Sequence, residues 1–263
     1  MVTQPIFVKP LDLGTITTGN AATGYPAANV NRHKALGLKW QSSGATNLWL
    51  RGDMGAVQDI DFCAVLSATA LASTTFRLRL GDNQTEVDGT ADYDSGAQTF
   101  IDPAITREDG LYHSFWRLPS TQTKRWWRLD FGSHSGDLSA AFVVLGKAIQ
   151  PSRYYSDGFE NGVEDLGEPS FTRLGVWDEK PGLIMRTKTF SLNWITRDEW
   201  EGEIGPMVEA LGSSGPVYCC FDATEDVYRQ RRTYFGRFQK SPYARAMRMP
   251  NTFGAEFQIL SLI

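Results

Sequence analysis

The residues able to do acid–base or nucleophilic chemistry are few and scattered. Three histidines, His33, His113 and His134, stand far apart in the chain, so a partner for any imidazole has to be supplied by the fold. Gly132-Ser133-His134-Ser135-Gly136 has the outline of a hydrolase nucleophile elbow. His occupies the place of the Ser, however, and the segment joins two strand-like runs instead of a strand and a helix. The carboxylate pairs Asp59/Asp61 and Asp92/Asp94 have the residue type that glycoside hydrolysis needs. At i, i+2 in a strand they share one face and mark its solvent side. Residues 157–168 hold five acidic side chains without the ordered ligand spacing of a calcium loop, and read as a solvated loop. No phosphate-binding glycine loop is present. Cys63, Cys219 and Cys220 lack the spacing of a zinc site or a disulfide framework, and read as buried thiols. The expectation is therefore no catalytic set, no metal and no cofactor: not an enzyme.

Other short motifs carry little. Arg51-Gly52-Asp53 spells an adhesion tripeptide but lies inside a strand-like run. Asn83-Gln84-Thr85 fits a glycosylation acceptor, which requires secretion. Arg229-Gln230-Arg231-Arg232 is a basic patch, read as a solvated face or as a subunit contact for the acidic 157–168 stretch. Recognition of a carbohydrate would use aromatic rings stacked on sugar faces beside polar groups. Tyr25, Arg32, His33 and Trp116 lie in segments expected on loops and are the candidate carbohydrate-binding residues.

These side chains need a scaffold, and the periodicities point to β-structure. Trp127, Leu129 and Phe131 alternate with Trp126, Arg128 and Asp130, a strand with one face on a core. Phe76-Arg77-Leu78-Arg79-Leu80 repeats the pattern before a Gly81-Asp82-Asn83 turn, and Ile60, Phe62, Ala64 and Leu66 alternate with Asp59, Asp61, Cys63 and Val65. Ala141 to Gly146 is almost continuously apolar, as in a strand covered on both faces. Thr196-Arg197-Asp198-Glu199 has capping-box spacing. Trp200, Ile204, Met207, Val208 and Leu211 follow at helical spacing, with Gly212 as the stop. Pro206 should break or kink that helix near Gly205.

Composition narrows the partners. With 26 basic against 30 acidic residues, a net of −4, the chain has no basic face for nucleic acid and no polybasic anchor. No run approaches the ~20 apolar residues of a spanning helix, and the N-terminus lacks signal-peptide character. A cytoplasmic site of synthesis is expected.

Pro26 to Val30, Trp40 to Ser42, Trp49 to Gly55, Arg125 to Leu129 and Val143 to Gly146 follow in the order and spacing of the galactose-binding-like, or discoidin-type, jelly-roll. Residues 20–148 resemble that family, with Met54 where Leu is usual and Trp127 where Tyr is usual. The resemblance implies an antiparallel sandwich whose end loops often bind carbohydrate, with Trp40 and Trp49 in its core. Farther on come Phe190-Ser191-Leu192 before the capped helix, the Gly-Ser-Ser-Gly-Pro-Val strand, Tyr234-Phe235-Gly236 and an isoleucine-rich last strand. That order is similar to the distal tail proteins of long-tailed bacteriophages and gene transfer agents. It implies a mainly β fold: a galactose-binding-like jelly-roll sandwich followed by a tail-tube-like β-sandwich with one flanking helix. The expected divisions are an N-terminal arm or edge strand (1–20), the first sandwich (21–149), a linker or extended loop (150–182) and an assembly domain (183–263). The implied role is a structural virion protein of a tail tip. Its partners would be identical subunits in a ring, other tail proteins (tube, hub, tape measure) and host surface glycans, without nucleic-acid recognition or membrane insertion. The alternative is a carbohydrate-binding adhesin or tail-fibre module.

Overall fold

The computed structural model describes all residues except 1, 2, 102–104, 106, 108, 157 and 172, and only the backbone of Trp177 and Glu179. The chain is mainly β, with its strands gathered chiefly into a seven-stranded and an eight-stranded sheet. It separates into a sandwich unit, residues 7–148 with 224–233, and a sheet–helix unit, residues 1–6, 149–223 and 234–263.

The sandwich unit is built on two long antiparallel strands, Trp49–Ala68 and Tyr112–Gly132. Thr75–Gly81 and Phe142–Gly146 pair on either side of them. Trp127, Leu129 and Phe131 enter the core as their spacing predicts, and Trp127 is wholly buried. Its indole nitrogen donates to the Leu13 carbonyl at 3.2 Å, satisfying the one polar atom that burial would otherwise strand. Gly52 is required beneath it, because an added Cβ would meet that nitrogen at 2.3 Å. Trp126 points the other way, half-buried, opposite Asp53 and Gly81.

Two expectations in the Trp49–Ala68 strand are corrected. The register shifts between Ile60 and Phe62, and this irregularity reverses the phase of the pattern. The core cluster therefore holds Ile60 with Cys63 and Val65, not one unbroken Ile60–Phe62–Ala64–Leu66 face. For the same reason Asp61 is buried rather than on the solvent side. Its Oδ1 accepts from the Ala148 amide at 2.6 Å. Trp49, expected in the core, lies half-buried on the polar face, with the guanidiniums of Arg51 and Arg128 at 5.1 and 4.6 Å from its ring.

In the sheet–helix unit the strands run in the order Pro216–Cys220, Thr233–Lys240, Thr252–Ser261, Ile184–Thr196, Glu160–Asp165. Both reciprocal bonds of the Thr196/Glu199 capping box are present. The break forced by Pro206 is taken up as a π-helical turn, Trp200–Ile204, before Gly205–Leu211 resumes α geometry. Gly212 closes the helix at φ +54°. Thr3, from the chain's beginning, is clasped to the same unit: its N–H and hydroxyl both donate to Asp222 at 3.0 Å.

The acidic, glycine-rich stretch read as a linker or loop is strand for much of its length. Glu160–Asp165 pairs with Ile184–Thr189, and Glu168–Phe171 pairs with Trp177–Lys180 as a two-stranded sheet of its own; Asp157 lies outside the described residues. At the base of this ribbon Lys188 is buried. Its ammonium sits 3.4 Å from the Phe221 ring centroid and 3.8 Å from that of Phe159, and donates to Asn161 Oδ1 at 2.8 Å. Ring faces and an amide oxygen replace the water it has lost.

Candidate functional site

One end of the sandwich unit carries a set of loops tied together by side chains. Trp40, wholly buried and stacked on Phe131 at 5.9 Å, donates its indole N–H to the Asn20 carbonyl. The Asn20 side chain in turn bonds the Ser43 and Thr46 carbonyls and the Ser43 amide. Asp137, from the facing loop, accepts from the Gly44 amide at 2.6 Å and from the Gln41 side chain at 3.4 Å. Ser42 is exchanged with Leu138 through both backbone and hydroxyl. Asn29 fixes the Lys39 carbonyl at 2.8 Å. These bonds hold irregular backbone in one shape, the preorganisation a recognition surface needs.

On this support Tyr25 is exposed, with 39% of its surface open, and the Lys39 ammonium lies 5.3 Å from its ring centroid. Its backbone N–H bonds Ala22, whose own N–H bonds Gln41, so Tyr25 belongs to the same loop cluster as the Gln41–Asp137 pair. An open ring face beside an ammonium, a carboxamide and a carboxylate can stack on an apolar sugar face while bonding its hydroxyls.

The other expected residues are dispersed. Arg32 is exposed at the far end of the short 3-10 turn Ala27–Asn31. His33 is buried, sharing a 2.8 Å hydrogen bond with the Val143 carbonyl, and burial pushes its imidazole pKa below the ordinary value. Trp116, expected on a loop, lies within the Tyr112–Gly132 strand. It is half-buried, and its indole N–H donates to the Tyr93 hydroxyl at 2.9 Å. Lys39, Gln41 and Asp137 escaped the sequence reading. Their relation to Tyr25 is made by contacts spanning up to 96 residues, which no local pattern reports.

Several charged groups elsewhere in the sandwich unit are committed to one another. Asp53 of the adhesion-like tripeptide is gripped by Arg125 at 2.6 and 2.7 Å and accepts from the Gly55 amide. Asp88 takes both Arg51 and Arg128, and Asp130 takes Arg79 and Arg128. Among the described residues Asp82, Glu86 and Asp92 are the one trio spaced to share a cation, and Lys124 already bridges Asp82 and Asp92. The elbow-like segment, Gly132 to Gly136, places His134 Nδ1 at 2.9 Å from Thr74 Oγ1 and leads irregularly from one strand toward the next. In the basic patch Arg229 pairs with Glu225, and Arg232 with Asp226.

No protein-family model matches the chain, and no curated protein matches it. The solved structures that resemble part of it include three binding modules. A chitosan-binding module from a chitosanase/glucanase of Paenibacillus sp. IK-5 is 15% identical, covering 52% of this chain and 97% of its own, with a TM-score of 0.36. A fucose-binding module of Streptococcus pneumoniae is 12% identical over 53% and 98%, at 0.38. The lectin domain of lectinolysin, complexed with Lewis B antigen, is 12% identical over 51% and 92%, at 0.37. With all three scores below 0.5, what the site can do follows from its own side chains.

Proposed function

We propose that the chain is a non-catalytic recognition protein whose sandwich unit binds glycans through the Tyr25 loop cluster. The observation that carries this reading is the open Tyr25 ring with Lys39 beside it, in the same loop cluster as Gln41 and Asp137, on loops fixed from beneath by Asn20 and Trp40. Stacking gives affinity for a sugar face, and the fixed polar groups select among hydroxyl patterns. Chitosan, fucose and Lewis b, the ligands of the similar modules, are the first sugars to try. A glycan array probed with the full chain tests the reading. Binding that Tyr25→Ala weakens at least about tenfold supports it, and no binding to any glycan overturns it.

A second reading, a ring-forming protein at the tip of a phage-type tail, is favoured by a different observation: the exposed apolar ribbon of the sheet–helix unit. Negative-stain microscopy of the concentrated protein would show closed rings on this reading and only separate particles against it.

A further inference from the structure

We propose that the ribbon of residues 160–184 is an arm that docks onto the basic, aromatic surface formed by residues 237–249 of a second copy of this chain. The inference deepens the ring-forming reading and rests on it.

The arm is apolar where it should not be. Of the eighteen large hydrophobic side chains exposed among the described residues, seven fall between 163 and 184, including Val163, Phe171, Leu174, Val176 and Ile184. Leu174, near its turn, is 89% exposed. Beyond Leu166 the two strands pair with each other as a two-stranded sheet of their own, and a two-stranded hairpin is marginal in water. From Asp165 to the turn is about eight residues, a reach of roughly 26 Å at ~3.3 Å per residue. Exposed apolar side chains concentrated on such an extension mark a protein contact.

Charge indicates what covers it. Residues 160–184 contain six acidic and two basic side chains. Residues 237–248 contain four basic side chains, Arg237, Lys240, Arg245 and Arg248, and no acidic one. All four are exposed, and none has a carboxylate partner among the described residues. Their surface is also apolar: Tyr243 is 45% exposed, with Lys240 and Arg245 at 6.0 and 5.0 Å from its ring, and Met249 is 60% exposed. On a chain of net charge −4 an unneutralised patch of four cations beside an open aromatic ring complements an acidic, apolar arm. The arm grows from the Glu160–Asp165 edge of the sheet, whereas the patch lies on the Thr233–Lys240 side of Thr252–Ser261. Within one copy the base of the arm touches the edge of the patch, Gln239 Nε2 donating to Glu164 Oε2 at 3.2 Å, while beyond Leu166 the arm runs on as a two-stranded sheet of its own. On the ring-forming reading that outer part docks head-to-tail on the next copy, a contact that repeats from copy to copy.

Sedimentation velocity of the full chain over a concentration series reads the outcome. The wild type should assemble. Leu174→Asp/Val176→Asp on the arm, and Arg245→Glu/Arg248→Glu on the patch, should each weaken assembly at least about tenfold. The altered residues are exposed, and unchanged circular dichroism and melting would show that both variants fold. Mixing the two variants should restore one contact only, between the intact arm of one and the intact patch of the other, giving a 1:1 heterodimer that grows no further. Assembly that survives both variants overturns the arm and leaves the ring-forming reading standing. A wild type monomeric at every concentration overturns both, and glycan binding is unaffected by either result.

Discussion

Gln230 and His113 exchange a matched pair of hydrogen bonds: the His113 amide donates to Gln230 Oε1 at 2.8 Å, and Gln230 Nε2 donates to the His113 carbonyl at 2.7 Å. A side-chain amide thus completes a strand's backbone pairing across 117 residues and fastens residues 224–233 to the sandwich unit. Both partners are buried, so neither backbone group has water to fall back on. Gln230→Ala should cost about 2–6 kcal/mol, the desolvation penalty of two stranded groups at roughly 1–3 kcal/mol each. Urea unfolding checks it, and a loss under 0.5 kcal/mol (~ within surface-substitution scatter) would show that the pairing is replaceable.

Gly14 should resist substitution. Its φ is +67°, and an added Cβ would lie 1.8 Å from the Asp53 carbonyl oxygen, where Thr15–Thr18 begins its pairing with Leu50–Asp53. Gly14→Ala combines left-handed strain with a backbone clash, and a loss of about 1–3 kcal/mol is expected. A melting temperature equal to the wild type would contradict the close approach.

Acid should loosen the sandwich unit through particular carboxylates. The Arg125 hydrogen bond holds the Asp53 carboxyl below the usual range, and Arg77 does the same for Asp94. A pKa depressed by folding gives stability that is complete above the unfolded value, about 3.9 for Asp, and lost as pH falls through the folded value. Asp53→Asn/Asp94→Asn should therefore flatten the decline of melting temperature below about pH 4, and an unchanged decline would assign it to other groups.

The three thiols should be inert in the native state. Cys63, Cys219 and Cys220 are free and buried, and burial pushes the Cys63 and Cys219 pKa values well up, leaving almost no thiolate to react. A chromogenic disulfide reagent should modify them only after denaturation. Rapid modification of the native protein would place one of them at the surface.

Where a signal was local, the sequence carried it. Trp127 inside, the capping box at Thr196, and the break forced by Pro206 are properties of a few adjacent residues, and each is realised. Where one inserted residue or a distant partner decides, it did not. The register shift after Ile60 turned Asp61 inward; Arg51 and Arg128 drew Trp49 onto the polar face; and Tyr93 engaged Trp116 within a strand. The ribbon at 160–184 was illegible because its acidic, glycine-rich composition is that of a loop, while its pairing is set by register with Ile184–Thr189. Of the recognition surface, Tyr25 was foreseeable as an aromatic on a polar segment, but the Asn20 and Asp137 ties that shape the surface span 23 to 96 residues.

The place of Thr252–Ser261 in the sheet, between Thr233–Lys240 and Ile184–Thr196, sets an order of events on the ribosome. Residues 7–148 emerge with nearly all of their own strands and can begin to fold as they appear. The sheet–helix unit has Ile184–Thr196 in hand well before Thr252–Ser261, the strand that joins it to Thr233–Lys240, is made. Until then Ile184–Thr196 presents an open edge, and the window between residues 196 and 252 is when this chain most needs protection from mispairing.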